Sequence, residues 1–135
     1  MKHFFIVLSL LFAFNLLATG EVEGTYTSKQ ENAKEIYELN LNIEKDDTGE
    51  DAYSFHLTKA FQEESGKNET SIIGKYKIDK KNIILYGESI TDNSNLENKQ
   101  KYKGSPIRVH VRSEDNRTIL VLSAFGKILK LAKQS

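Results

Sequence analysis

Apolar and polar residues alternate one by one along most of this chain, and that period of two restricts its fold more than any other feature. The alternation is clearest between residues 36 and 44 and between residues 52 and 61. Its apolar members are Tyr37, Leu39, Leu41 and Ile43 in the first segment, and Tyr53, Phe55, Leu57 and Phe61 in the second. Successive side chains of a strand point to opposite faces, so this pattern predicts strands with one buried face. The chain is therefore expected to be all-β.

These two segments are expected to form a hairpin. The intervening stretch "EKDDTGEDA" contains Asp46, Asp47 and Gly49, which are typical turn residues. Pairing Ile43 with Tyr53 places all the apolar residues of both strands on one face, as a correct register requires. The same register sets Leu41 opposite Phe55 and Leu39 opposite Leu57.

A second hairpin is predicted in the stretch "GKYKIDKKNIILYG", residues 74–87. A type I turn over residues 79–82 suits it, because Asn82 can adopt the left-handed conformation. The register stays open between a shorter loop, which pairs Ile78 with Ile84 and Tyr76 with Tyr86, and a longer one. The longer loop pairs Ile78 with Ile83, Tyr76 with Leu85 and Gly74 with Gly87. Glycine weakens a strand, so Gly74 and Gly87 indicate a bend or a close backbone contact, which helps a sheet to curl.

Further apolar stretches complete the set of strands. They lie at residues 24–29, at 107–112 directly after Pro106, at 118–124, and after a turn at Phe125-Gly126. That turn is expected to pair Leu122 with Leu129 and Leu120 with Leu131. The polar stretch 91–105 is expected to be a loop. About eight strands joined as sequence neighbours predict an antiparallel meander, which closes into a small lipocalin-like β-barrel.

Two segments leave alternatives open. Ser28 and Glu31 have the spacing of a capping box, so residues 28–35 suit a helical turn as well as an extended link between strands. The end of the chain suits either a closing strand or a short basic amphipathic helix, and we favour the strand. The helix alternative rests on Lys127, Lys130 and Lys133, which lie around Ile128, Leu129 and Leu131.

Residues 1–20 have the pattern of a secretory signal peptide. A short basic start with Lys2 precedes an apolar run over residues 4–14, and small residues precede a predicted cleavage after Gly20. The run is shorter than the ~20 residues of a membrane-spanning helix. Residues 21–135 then form a single domain, exported to the periplasm or secreted. The chain has no cysteine, so the domain has neither a lipid-bearing thiol nor a disulfide.

Three pieces of the sequence resemble a known family. They are "GTY" at residues 24–26, the hairpin at 74–87, and "VLSAFGKILKL" near the end. Their order and spacing resemble the small lipocalin-like barrels of the bacterial envelope, in particular the N-terminal domain of copper-resistance and envelope-stress lipoproteins. That family carries a lipid-bearing cysteine and a C-x-x-C pair soon after Gly-x-Tyr, and this chain has neither. The resemblance therefore implies the outline of a fold, without copper binding, thiol chemistry or surface signalling.

The sequence gives no support for catalysis or for a cofactor. It contains no G-x-S-x-G elbow, phosphate loop or H-E-x-x-H motif, and its carboxylates cluster in predicted turns. After residue 20 the histidines are His56 and His110, both on the polar phase of their strands, so we expect no metal site. The 19 basic and 19 acidic residues cancel, which argues against nucleic acid and against an anionic membrane surface.

Two groups of residues remain as candidate binding sites. The aromatic residues on the apolar phases either fill the core or line a pocket for a small apolar ligand: Tyr37, Tyr53, Phe55, Phe61 and Tyr76. The pocket is expected at the barrel end near Tyr37 and Phe61, because Lys59 interrupts the apolar phase there. The second group, on the outer side of one strand, is either ordinary surface charge or a contact for an anion or a protein: Arg108, His110 and Arg112.

Two function classes follow from these groups. We favour a non-catalytic, monomeric, exported barrel that binds a small apolar ligand in a shallow cup. The alternative is a protein-interaction module of the bacterial envelope, an inhibitor or accessory factor, that acts through loops and one sheet face. The long polar stretches at residues 62–70 and 91–105 favour the alternative. The aromatic residues on the inward phases favour the first.

Overall fold

The computed structural model describes residues 22–28, 34–61, 69–92 and 99–134. Within these ranges the chain is all-β, as the alternation predicts. Its strands in chain order are β1 (Gly24–Thr27), β2 (Glu35–Lys45), β3 (Asp51–Phe61), β4 (Glu69–Asp79), β5 (Asn82–Asp92), β6 (Gln100–Lys101), β7 (Ile107–Glu114), β8 (Arg117–Ala124) and β9 (Lys127–Lys133).

Eight of these strands form a closed antiparallel barrel, which confirms the predicted architecture. Around the wall the order is β4-β3-β2-β1-β9-β8-β7-β5, and β5 also pairs with β4 to complete the circle. The short strand β6 pairs with β5 through Ser89 and Ile90, beyond the stretch of β5 that pairs with β7. The expected loop at 91–105 is therefore too long, because β5 continues to Asp92 and β6 lies within it.

The β2–β3 and β8–β9 hairpins have the predicted registers. Ile43 pairs with Tyr53. The β8–β9 turn at Phe125 and Gly126 is confirmed, with positive φ at both residues (54° and 74°). The last segment is a strand and not a helix. The other predicted pairs are also found: Leu41 with Phe55, Leu39 with Leu57, Leu122 with Leu129, and Leu120 with Leu131.

The hairpin at residues 74–87 has the longer of the two predicted loops, since Ile78 pairs with Ile83 and Gly74 with Gly87. The expected type I turn is wrong, because Lys80 has a φ of 57° and a type I turn needs negative φ at that position. The expected close contact at Gly74 is confirmed. The β4–β5 register shifts beside Gly74, and a Cβ there would lie 2.0 Å from the carbonyl oxygen of Tyr86.

Inward-facing apolar side chains from every wall strand fill the middle of the barrel. The largest that are fully buried are Tyr26, Phe55, Leu39, Leu41, Leu57, Ile83, Leu85, Leu120, Leu131, Val22 and Val109. One end of the barrel, next to the β2–β3 turn, is called the far end below. There the buried hydroxyl of Tyr26 donates a hydrogen bond of 2.8 Å to the carbonyl of Val22, and burial raises the pKa of Tyr26 to about 12.

Four predictions fall wholly or partly outside the described residues. They are the signal peptide at 1–20, the helical turn at 28–35, and the polar loops at 62–70 and 91–105, since 29–33, 62–68 and 93–98 are not described. Within the described part, the Ser28 hydroxyl accepts a hydrogen bond of 3.0 Å from the backbone N–H of Tyr37 and thereby links β1 to β2. No helix among the described residues has the length and apolar character needed to cross a membrane.

Candidate functional site

An apolar cavity of about 520 Å³ opens at the end of the barrel opposite the far end. We call it the cup. Its walls come from β4, β5, β7 and β8 and from the chain that precedes β7. The lining residues are Ile72, Ile90, Tyr102, Ser105, Pro106, Ile107, Arg108, Ser123, Ala124 and Phe125. The volume lies in the ~300–1,000 Å³ range of small-molecule sites, which are typically apolar with a few polar groups.

Tyr102 forms one wall of the cup and depends on two glycines for its position. Its backbone N–H donates a hydrogen bond of 3.0 Å to the carbonyl of Glu88. A Cβ on Gly87 would lie 2.3 Å from Cδ1 of the Tyr102 ring, and one on Gly104 would lie 2.3 Å from its hydroxyl oxygen. The ring therefore packs directly on backbone that carries no side chain.

Phe125 separates the cup from a polar cluster at the same end of the barrel. Its ring lies 5.9 Å from that of Tyr37, measured between centroids. Its φ of 54° is unusual for a bulky residue. Lys59 Nζ lies 6.0 Å from the centroid of Phe125 and 5.7 Å from that of Phe61. The rim beside Phe125 is therefore cationic and aromatic together.

The polar cluster is centred on the carboxylate of Glu35. The Tyr37 hydroxyl donates a hydrogen bond to it, Lys127 Nζ lies 3.3 Å away and Lys59 Nζ 3.7 Å. The hydrogen bond from Tyr37 is the main reason that the pKa of Glu35 is lowered; burial opposes it and the two lysines assist. Burial, and then the nearby carboxylate, raise the pKa of Tyr37 to about 12. The hydrogen bond and ion pairs of these groups are made within the cluster, so the cluster holds the β2 side of this end together.

A second cavity, of about 400 Å³, lies on the other side of that cluster. It forms because β1 ends at Thr27, whereas β2 and β9 continue past it. Its lining is mostly polar or charged: Ser28, Lys34, Glu35, Tyr37, Lys127, Ile128, Leu129 and Lys130. Because an apolar lining is typical of small-molecule sites, we take the more apolar cup as the candidate site.

The five aromatic residues predicted as ligand contacts do not meet in one pocket. Tyr37 and Phe61 lie at the same end as the cup, but neither lines it, and Phe61 is 38% exposed. Phe55 is buried in the middle of the barrel. Tyr53 and Tyr76 pack edge to face near the far end, with centroids 5.5 Å apart.

The arginines and histidines that the sequence analysis considered lie on the outer wall of the barrel. Arg108, His110 and Arg112 are all exposed, as their phase predicts. Arg108 also lines the cup at the start of β7. The Nε2 atom of His56 is buried without a hydrogen-bond partner among the described residues. No group of three or more His, Asp or Glu side chains within the described ranges could hold a metal ion.

Apart from Arg108, the residues that line the cup were not singled out by the sequence as candidate site residues. Ile72 could have been identified, because it lies four residues before Tyr76 and an even spacing along a strand predicts that both face inward. Ile90 has no such signal, because the β4–β5 register shift breaks the phase between it and Leu85. Tyr102 lies in the polar stretch that was interpreted as a loop, where no alternation marks it as a packed residue.

Comparison with known proteins identifies no relative. No family model, curated protein or solved structure matches the chain. The resemblance to envelope lipocalin-like barrels therefore stays a hypothesis.

Proposed function

We propose that this protein is a non-catalytic exported barrel that binds a small apolar molecule in the cup. The observation that carries the proposal is the apolar cavity of about 520 Å³ in a barrel whose middle is otherwise packed with side chains. An apolar ligand gains free energy by removing this surface from water, at ~25 cal/mol for each Å² buried. Export is supported by the signal-like sequence of residues 1–20.

The proposal is tested with N-phenylnaphthylamine, a neutral dye whose fluorescence rises in apolar surroundings. We expect saturable binding to the purified protein. Ile90→Asp should abolish it, because the substitution puts a charge into the cup wall at a half-buried position. Phe61→Asp is the matched control: it puts the same charge at the same end, on a residue outside the cup lining.

Circular dichroism of both variants checks that the barrel is intact. Equal loss of the dye from the two variants would place its site elsewhere on the barrel end. A wild-type protein that does not bind the dye saturably would contradict the ligand-binding function.

A second candidate function is protein interaction through one face of the outer wall. It is favoured by Ile73 and Tyr86, which are large apolar side chains exposed by 41% and 43% on the neighbouring strands β4 and β5. Lys75 pairs with Tyr86 and supplies charge beside it. Aromatic residues of this kind are enriched at protein interfaces. A photo-crosslinking amino acid at position 86 should then give a discrete adduct in intact cells, whereas one at Thr48 should not.

A further inference from the structure

Arg108 is the one charged side chain among the described residues that line the cup. It is exposed at the rim, while Ile72, Ile90 and Ile107 form apolar walls of the same cavity. The guanidinium group keeps its positive charge at every pH that proteins meet. The cup thus combines an apolar interior with a fixed cation at its mouth.

Among the described residues, none that neighbours Arg108 in the sheet carries a charge that neutralises it. Across the ladder on β5 its partner is Ile84. On the other side, the pairing of Val109 with Leu122 sets Ser123 across from it on β8. Pro106, just before β7, and His110, on the same face of β7 as Arg108, carry no carboxylate either. No ion pair to Arg108 is found within the described ranges, unlike Lys59 and Lys127, which share Glu35.

We propose that the ligand of the cup is an amphiphile, with an apolar body and an anionic headgroup that binds Arg108. This inference rests on the proposed ligand-binding function and adds the ligand's chemical class. A carboxylate or a phosphate can accept two parallel hydrogen bonds from a guanidinium group, which makes such contacts both strong and directional. The headgroup stays at the rim, where it keeps part of its hydration, and the apolar body enters the cup.

The hydroxyl groups at the rim fit the same ligand. Ser105 lies before Arg108 in the chain, and Ser123 lies across from it on β8. Both serines line the cup, and their hydroxyl groups can donate hydrogen bonds to an anion. The hydroxyl of Tyr102 donates to the carbonyl of Ser105 at 3.3 Å, which is a long hydrogen bond that a stronger acceptor can replace. No carboxylate side chain among the described residues lines the cup to repel an anionic headgroup.

The test measures how well three molecules with the same ten-carbon apolar tail displace N-phenylnaphthylamine: decanol, undecanoate and decyl phosphate, each below its aggregation limit. In the wild-type protein both anions should displace the dye at concentrations about tenfold lower than decanol, a difference of ~1.4 kcal/mol. The stronger of the two anions identifies the headgroup as a free carboxylate or a phosphate. In Arg108→Gln the ratio between the decanol and anion concentrations that displace the dye should fall from about ten to about one, because glutamine retains hydrogen-bonding ability without charge.

Arg112→Gln is the matched control, since Arg112 lies on the same strand and the same outer face but does not line the cup. It should leave the tenfold preference intact. Equal displacement by decanol and the anions would overturn the headgroup assignment while leaving ligand binding in place. A preference that survives in Arg108→Gln would overturn it as well. Failure of the dye itself to bind would instead contradict the proposed function.

Discussion

A Cβ atom on Gly87 would lie 2.3 Å from Cδ1 of Tyr102, so the tyrosine ring occupies the space that a side chain at residue 87 would need. This contact joins a wall strand, β5, to the chain that leads into β7. Since Tyr102 is also a wall of the cup, the contact sets the width of the cup at that side. Because the ring packs on bare backbone, a side chain at residue 87 would have to displace it away from β5.

Gly87→Ala is therefore expected to push Tyr102 away from β5 and to weaken binding of the neutral dye. Overpacking of this kind also lowers the free energy of unfolding, by ~1–3 kcal/mol. Urea denaturation and dye titration measure the two effects. The double variant Gly87→Ala/Tyr102→Ala should be no less stable than Tyr102→Ala alone, because the clashing ring is gone. Additive losses in the double variant would mean that residue 87 acts through something other than Tyr102.

Gly74→Ala is expected to be more damaging than Gly87→Ala. Its Cβ would lie 2.0 Å from the backbone carbonyl oxygen of Tyr86, and backbone cannot rotate away as a side chain can. We expect a loss of about 3 kcal/mol or more in the free energy of unfolding. Adding Tyr102→Ala should not rescue it. A Gly74→Ala variant as stable as Gly87→Ala would show that the β4–β5 bulge adjusts easily.

Leu41→Ala should lower the free energy of unfolding by ~2–5 kcal/mol, because Leu41 is fully buried opposite Phe55 and the deletion leaves a cavity. Ile128→Ala is the control, since Ile128 is 80% exposed and removal of its side chain should change stability by less than ~0.5 kcal/mol. Urea denaturation monitored by circular dichroism compares the two. Similar losses would contradict the inward phase assigned to β2.

The wall of the barrel could be predicted from the sequence because each strand carries its own signal. In β2 and β3 both faces are marked, apolar inside and polar outside, and the short turn leaves one register that keeps Leu39, Leu41 and Phe55 on the same side. The hairpin at 74–87 carried the same signal but two registers satisfied it. The choice between them depends on the close backbone contact at Gly74, which exists only once β4 and β5 pair.

The cup could not be predicted in the same way. Alternation tells which residues face inward, but it does not tell where around the barrel, or how far along its axis, each one lies. The predicted aromatic set is accordingly spread from Phe61 at one end to Tyr53 at the other. The cup instead depends on strands distant in sequence, and on Tyr102, whose packing against Gly87 has no local pattern.

Acid is expected to remove the stabilising contribution of Glu35. Its pKa in the folded protein lies below the ordinary value of 4.5, chiefly because of the hydrogen bond from Tyr37. The carboxylate therefore favours the folded state above pH ~4.5, and this contribution is lost as the pH falls through the folded-state pKa. The wild-type protein should exceed Glu35→Gln in free energy of unfolding at neutral pH, and the difference should shrink on acidification.

Glu44→Gln is the control for that titration, because Glu44 lies on the same strand, is exposed, and has no ion pair within the described residues. Its difference from the wild-type protein should stay small throughout. A difference for Glu35→Gln that does not change with pH would mean that the polar cluster acts through packing and not through charge.

Phe125→Asn should separate ligand binding from stability. Phe125 has a φ of 54° beside Gly126, a conformation that costs a bulky residue ~1–3 kcal/mol and that asparagine adopts readily before glycine. The half-buried ring contributes ~1.5–3 kcal/mol at most by its burial, so relief of strain and loss of burial nearly cancel. Dye binding should be lost, because the ring is a wall of the cup, while the free energy of unfolding changes little.

Phe125→Ala is the comparison variant. It removes the ring and keeps the backbone strain, so it should lose dye binding and stability together. Urea denaturation measures the stability of both variants, and equal losses would show that the conformation of Phe125 is not strained. Retained dye binding in Phe125→Asn would place the ligand outside the cup.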